Sequence, residues 1–565
     1  LPALSLLLFL SACHSVPKHV RFIPKDALAV IGIHTGEMRK EITWSAIMGS
    51  NLLDEMQKQG GQKSTEMMKD MDNSGIDFSS TIYGYSRPDN RFENGMKLSA
   101  ILPVADEQKL SDFIRKHAPG IAIHQLKDRN EIFVDGKVYI GWNKEVMIAM
   151  NPIVRNVHHD EPAKMDTLGG TAYPGSPYSW EEHIPDSSAT VAEMDRAFNP
   201  GAKTSISDNP RFKQLEQEGH DISLWISYDA MADKWASNGG GDMGAMGMGV
   251  ANTLWKSSAM VMGMDFKKGT IHADMRYYSS DSMKEVAREF GKTDVDKEML
   301  KHLPSAGLNA ALGYRVSPTA IKMLLDKMGL SGIANLALMD KGMSVDDILG
   351  AFSGDMVASL NNFKVETSIQ QMDSATMKTY GMTPYPVTTP KMDFVYAIKV
   401  GDKSKMNKLI NFLTGSDMLK STSPGHYSIA GTSNGLSLIV DDHYAIVGNT
   451  PATAEAYLKE NGGIAVPVSN QISGHVTGLW IDIHSLLQAA GAMAHGSPSD
   501  SMAYNTVKGM FQDFNMSGGE YRGDANVYTA SLNFMNKEEN SLIQLLHMMQ
   551  QLNALNGSKK EVAIQ

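Results

Sequence analysis

The sequence predicts an α+β protein: two similar lobes from an internal duplication, each with mainly antiparallel sheets and helices packed on one face. Three observations predict it. Segments alternating apolar and polar residues at period two read as strands, and the short turns between consecutive strands make most pairings antiparallel. Amphipathic stretches of about ten to fifteen residues are interleaved with them, and helices covering one face of a sheet bury such stripes. The same landmarks then recur in the same order in both halves of the chain, which a repeated plan explains.

Taken in order, the first copy opens with Pro24-Lys25-Asp26-Ala27-Leu28-Ala29-Val30-Ile31-Gly32, answered by Pro304-Ser305-Ala306-Gly307-Leu308-Asn309-Ala310-Ala311-Leu312-Gly313, each leading into a helical stretch. Ile76-Asp77-Phe78-Ser79 corresponds to Ala351-Phe352-Ser353-Gly354 at the entry to a strand. The helix predicted from Glu107 to His117, with Leu110, Phe113 and Ile114 on one side, matches that from Lys403 to Leu413, with Met406, Leu409 and Ile410. A meander follows in both copies, through Tyr139–Ile148 and Ser437–Ile446, closing on Asn151 and Asn449. The second part opens with Leu224-Trp225-Ile226 and with Leu479-Trp480-Ile481; a helix, a Gly/Met/Ser loop, a hairpin and a terminal helix come next, the last over Ser282–Phe290 and Glu538–Leu552. The boundaries this implies are a lobe at 24–295, a second at 300–555 and a short tail at 556–565.

The N-terminal segment has a different character. Leu4 to Leu10 is a short apolar run, and Leu10-Ser11-Ala12-Cys13 resembles the lipobox of bacterial lipoproteins, in which the cysteine is lipidated and becomes the mature N-terminus. Residues 1–12 are therefore expected to be a signal peptide and 13–23 a lipidated cysteine with its tether. No basic stretch and no initiating Met precede the run, so the start is read as truncated. Cys13 is the only cysteine, which removes disulfides, thiolate metal clusters and a cysteine nucleophile from the folded body. The tether holds no acidic cluster, and a periplasm-facing outer-membrane location is expected, with surface exposure left open.

A net charge of −11 without long single-sign blocks gives no footprint for nucleic acid. With 42% hydrophobic and 20% charged residues the composition is globular, and no further apolar run is long enough to cross a bilayer.

Several catalytic patterns fail on context. Gly431-Thr432-Ser433-Asn434-Gly435 fits the nucleophile-elbow spacing, but Leu436-Ser437-Leu438-Ile439-Val440 after it is strand-like where that elbow needs a helix, so a hairpin turn is predicted. The glycine-rich stretch from Gly239 to Gly249 lacks the strand before and the Lys-Ser/Thr after that a phosphate loop requires, and is read as a flexible connector. Met243, Met246, Met248, Met260, Met262 and Met264 have thioether-site spacing, yet 39 methionines spread along the chain make packing the better reading. Asp441-Asp442 sits at a predicted turn. No helical zinc pattern occurs, and neither metal nor cofactor is expected.

The first copy also carries an insertion, at about 152–187, that the second lacks. It holds His158, His159, Asp160, Glu161, Tyr178, Trp180 and His183, and is expected to be a solvated loop, these residues forming its candidate ligand set.

The lipobox-like start, Ile23-Pro24-Lys25-Asp26-Ala27, the step Ser74-Gly75-Ile76-Asp77 into Thr81-Ile82-Tyr83-Gly84, and the two-lobed plan together resemble a family of lipoproteins from Bacteroides-type gut and oral bacteria, a domain of unknown function (DUF4836-like). The resemblance covers most of the chain after Cys13 and implies no catalytic residues. Two functions stay open. One is a non-catalytic envelope protein, anchored by its lipid, that binds a ligand or a protein or glycan partner. The other is an envelope hydrolase with a site between the lobes or under the insertion.

Overall fold

The computed structural model describes residues 16–41, 66–67, 70–88, 96–134, 137–151, 154–160, 179–201, 204–229, 231–232, 244–370, 385–431, 435–459, 463–491 and 498–562. The chain divides into two compact units, Leu1–Lys40 with Met56–Asp242 and Glu41–Glu55 with Met243–Gln565.

The first unit contains β1 (Ala29–Ile33), α1 (Thr35–Glu41), β2 (Ile82–Pro88), β3 (Met96–Pro103), α2 (Glu107–His117), β4 (His124–Gln125), β5 (Asn130–Val134), β6 (Val138–Trp142), β7 (Val146–Met150), β8 (Val154–Asp160), β9 (Ser179–Pro185), α3 (Ser187–Phe198), α4 (Pro210–Gln217) and β10 (Ile222–Ser227). Its antiparallel pairings run β10-β1-β2-β3-β7-β6-β5-β4. The helix α2 forms where the apolar stripe predicts it. Asp106 caps it by accepting from the Lys109 N–H at 3.0 Å, a contact worth about 1 kcal/mol. Its Leu110 and Ile114 pack on Ile132 and Trp142 of the meander, and the Trp142 indole donates to Ser111 at 3.1 Å.

The second unit contains α5 (Gly244–Trp255), β11 (Ala259–Lys267), β12 (Thr270–Tyr278), α6 (Lys284–Phe290), α7 (Lys297–Leu300), β13 (Leu308–Arg315), α8 (Pro318–Lys327), α9 (Ser331–Met339), α10 (Val345–Gly350), β14 (Phe352–Gln370), β15 (Tyr385–Val400), α11 (Lys403–Gly415), β16 (Leu419–Ser423), β17 (His426–Ile429), β18 (Ser437–Val440) and β19 (Tyr444–Gly448). It continues with α12 (Pro451–Lys459), α13 (Val466–Ile472), β20 (Thr477–Ile481), α14 (Ile483–Ala490), α15 (Pro498–Lys508), β21 (Phe511–Arg522), β22 (Ala525–Phe534) and α16 (Ser541–Val562). Its antiparallel order is β11-β12-β22-β21-β20-β13-β14-β15-β19-β18-β17-β16. The main core lies between this sheet and α7, α12 and α13, with Met299, Val357, Ile446, Tyr457 and Ile472 buried together.

The chain is thus α+β with antiparallel sheets. Three local features differ from, or sharpen, the sequence reading. Part of the expected Gly/Met connector is helical: α5 begins at Gly244, and its Ala, Met and Leu residues favour helix against the interspersed glycines. The β11–β12 hairpin, which the sequence groups with the first lobe, belongs to the second compact unit, because β12 gives its free edge to β22 from Thr270↔Asn533 to Tyr277↔Asn526. At the serine motif, Thr432, Ser433 and Asn434 lie outside the described residues, but its flanks β17 and β18 pair antiparallel, as a hairpin requires. Asp441 makes the turn into β19 by accepting from the His443 and Tyr444 amides, both at 2.7 Å.

Candidate ligand-binding site

Of the residues singled out from the sequence, Cys13, Glu161, Tyr178 and Met243 lie outside the described residues. His158, His159 and Asp160 fall on β8, and Trp180 and His183 on β9. The ends of the insertion therefore form a two-stranded antiparallel ribbon, where a loop was expected, with His158↔Glu181, His159↔Trp180 and Asn156↔His183 in register. Neighbouring strand positions take opposite faces, so 158 and 159 do not share one, whereas positions 158 and 183 do. Among the described residues no group of three His, Cys, Asp or Glu is placed to hold a metal ion.

The first unit instead gathers polar groups that are scattered along the sequence. Gly32 sits opposite Tyr83 on β2 and Ser223 on β10, and a Cβ there would strike both side chains. The space it leaves brings Tyr83 and Ser223 onto one carboxylate, Glu216 of α4. Tyr83 donates to Glu216 Oε2, and Ser223 donates to Oε1 at 2.7 Å. His34 adds Nε2 at 3.2 Å from Ser223 Oγ, and Thr81 Oγ1 lies 3.0 Å from His34 Nδ1. The His19 ring nitrogen meets the Thr81 carbonyl at 2.7 Å. All of these residues are buried. Burial pushes the Glu216 carboxyl above its ordinary range, against the pull of its two donors, and pushes the Tyr83 phenol well up. Ser, His and Glu side chains thus meet without access to a substrate, and the cluster is a polar core.

The accessible chemistry of this unit lies in a cavity of about 430 Å³ beside α3. Arg87, at the end of β2, forms its floor and is bound on two sides, to Glu193 of α3 and to Asp26. Glu193 also receives Lys97 at 3.4 Å and Arg196, one turn along the helix, at 2.8 Å. Burial works against the Arg87 charge, but Asp26 and Glu193 outweigh it and hold the guanidinium above its usual value. Arg87 Nε is enclosed and has no hydrogen-bond partner among the described residues. Lys25 and Asp229 complete a lining of both signs, with Phe22 and Tyr85 as apolar walls. Such a site can orient a small ligand that presents both an acidic and a basic group. The residues come from positions 25–26, 87, 193–196 and 229, and no local motif announces them.

No family model and no curated protein matches the chain. Among solved structures, crystal forms IV, III and I of TP0453 are similar at 9% identity, with TM-scores of 0.26, 0.26 and 0.25. The matches cover 47% of this chain and 81%, 81% and 80% of those chains. No helix among the described residues is long and apolar enough to cross a membrane.

Proposed function

We propose that the chain is an exported envelope lipoprotein, anchored through Cys13 at the outer membrane and facing the periplasm, built from two copies of one plan. Its first unit binds a small ligand carrying charges of both signs and does no chemistry on it. The observation that carries the binding reading is the Arg87 cavity: its acids Glu193 and Asp26 are engaged in ion pairs, which suits them to hold charge and not to shuttle protons. Support for the duplication comes from strand order. The run β20-β13-β14-β15-β19-β18-β17-β16 repeats the order of β10-β1-β2-β3-β7-β6-β5-β4. In that register Gly313 takes the place of Gly32, with Val357 and Gly478 opposite it where the first unit has Tyr83 and Ser223.

Two measurements test this. Cells expressing the gene from its own start and fed an alkyne fatty acid should label the protein, and Cys13→Ser should abolish both label and membrane association. Calorimetric titration with the dipeptide lysylglutamate should show saturable binding that Arg87→Leu removes. An unlabelled, freely soluble wild type defeats the anchor, and absence of saturable binding defeats the ligand assignment.

A further inference from the structure

A second cavity, of about 390 Å³, runs across the strands of the second unit under α6. Its long walls are mainly apolar and aromatic, from Trp255, Phe290, Leu324 and Tyr528, with Thr477 and Asn526 between the ends, the Asn526 amide already given to the Ala287 and Gly519 carbonyls. Its two ends are polar. Arg315, which ends β13, gives Nη1 to Asp355 and leaves Nε and Nη2 without a protein partner among the described residues. At the other end Ser279, just beyond β12, is 3% exposed, and its enclosed hydroxyl has no hydrogen-bond partner among the described residues. The strands β22, β21 and β20 lie between β12 and β13, so four inter-strand steps of about 4.8 Å set the two ends roughly 19 Å apart.

An elongated apolar trough with a half-satisfied guanidinium at one end selects a particular shape of ligand. The walls want an uninterrupted hydrocarbon, because a sugar or nucleotide would leave its own polar groups unpaired against Trp255, Phe290 and Leu324. The guanidinium wants an anion, since its two remaining donors can form charge-assisted bonds that Asp355 does not use. The hydroxyl of Ser279 wants a hydrogen-bonding group at the far end of the chain. We propose that this trough binds a single long-chain anionic amphiphile, with its acid group on Arg315 and its chain lying across the strands toward Ser279. This site is separate from the Arg87 cavity, and neither assignment depends on the other.

Titration calorimetry of the full chain with sodium dodecanoate, kept below its aggregation concentration, tests it, with dodecanol and 12-hydroxydodecanoate as companions. Wild type should bind one dodecanoate per chain, and should bind dodecanol roughly tenfold or more weakly, for want of the charge-assisted bonds. Arg315→Leu combined with Asp355→Asn leaves no orphaned charge and should erase that preference while dodecanol binding stays as it was. Leu324→Trp, which fills the trough without touching Arg315, should weaken all three ligands at least tenfold. Ser279→Val should remove any advantage of 12-hydroxydodecanoate over dodecanoate. Circular dichroism on each variant establishes folding; if one unfolds, the acid-over-alcohol preference of the wild type still decides. Non-saturable uptake, equal affinity of wild type for acid and alcohol, or binding untouched by a folded Leu324→Trp would overturn the proposal.

Discussion

His34 Nε2 lies 3.2 Å from Ser223 Oγ, the separation a catalytic base and nucleophile would keep, yet Ser223 gives its proton to Glu216 at 2.7 Å. With its one proton given to Glu216, the Ser223 hydroxyl has only lone pairs to turn toward the ring, the reverse of what a nucleophile offers a general base. Ser223 is 2% exposed, so no acyl group reaches it. A fluorophosphonate probe is therefore expected to leave Ser223 unlabelled in the folded protein. Ser223→Ala should lower stability by about 1–3 kcal/mol, because Glu216 loses a donor in a site closed to water. Labelling of Ser223 under native conditions would restore the hydrolase reading.

The same carboxyl makes the stability of the first unit depend on pH. Burial, the dominant cause, raises the folded-state pKa of Glu216 above the ordinary value of 4.5. The native state then binds its proton more tightly than the unfolded chain does. That stabilisation is fully present below 4.5 and is lost as pH rises through the raised value, by at most about 1.4 kcal/mol per pH unit. His19 acts from the other side. Burial lowers its folded-state pKa from 6.5, so its contribution is complete above 6.5 and lost as pH falls through the lowered value. Glu216→Gln, a mimic of the protonated acid, should gain stability relative to wild type as pH is raised from 4 to 8. Urea titrations across that range measure it, and parallel profiles for the two proteins would show that Glu216 ionises as freely folded as unfolded.

These buried groups mark where sequence reading stops. The helix α2 was legible as Glu107–His117 because its apolar stripe of Leu110, Phe113 and Ile114 falls within a dozen or so residues, and the structure adds an Asp106 cap and a basic last turn at the same bounds. The turns at Gly431 and Asp441 were legible for the same reason of locality. His34, Thr81, Glu216 and Ser223 are drawn from the ends of three strands and a helix, and each one alone reads as an ordinary polar residue in a mixed segment. Arg87 is likewise silent until Asp26 and Glu193 are folded onto it. The β8–β9 ribbon escaped because Val154-Arg155-Asn156-Val157-His158-His159-Asp160 lacks the apolar alternation that a strand buried on one face displays.

Gly75 gives a backbone prediction. It stands at φ +82°, and a Cβ there would run into the Asp106 carbonyl and the Leu110 amide. Its own carbonyl accepts from the amides of Ala105 and Asp106 at 2.8 and 3.0 Å, tying the entry to β2 to the cap of α2. Gly75→Ala must therefore either adopt an unfavourable left-handed conformation or break that tie. A loss above about 1 kcal/mol is expected, larger than for Gly120→Ala, where φ is +91° but nothing lies within 4 Å. Thermal unfolding of the two variants side by side separates conformational strain, common to both, from the collision peculiar to Gly75.

Arg87 carries the sharpest test of the first cavity, because it couples stability to binding. Its side chain is 14% exposed and holds Asp26 and Glu193 together, while Glu193, 11% exposed, also leans on Lys97 and Arg196. Replacing Arg87 by Met keeps the aliphatic bulk and removes the bridge. Breaking a partly buried pair in this way should cost about 3 kcal/mol, with the remaining cations sparing Glu193 from the higher end of such losses. Arg87→Lys retains a charge but not the planar fork that reaches two carboxylates at once, so it should recover part of the stability and little of the ligand affinity. Chemical denaturation gives the first quantity and calorimetry with lysylglutamate the second. If Lys restored binding in full, Arg87 would be acting as a point charge and the forked geometry would be irrelevant to the ligand.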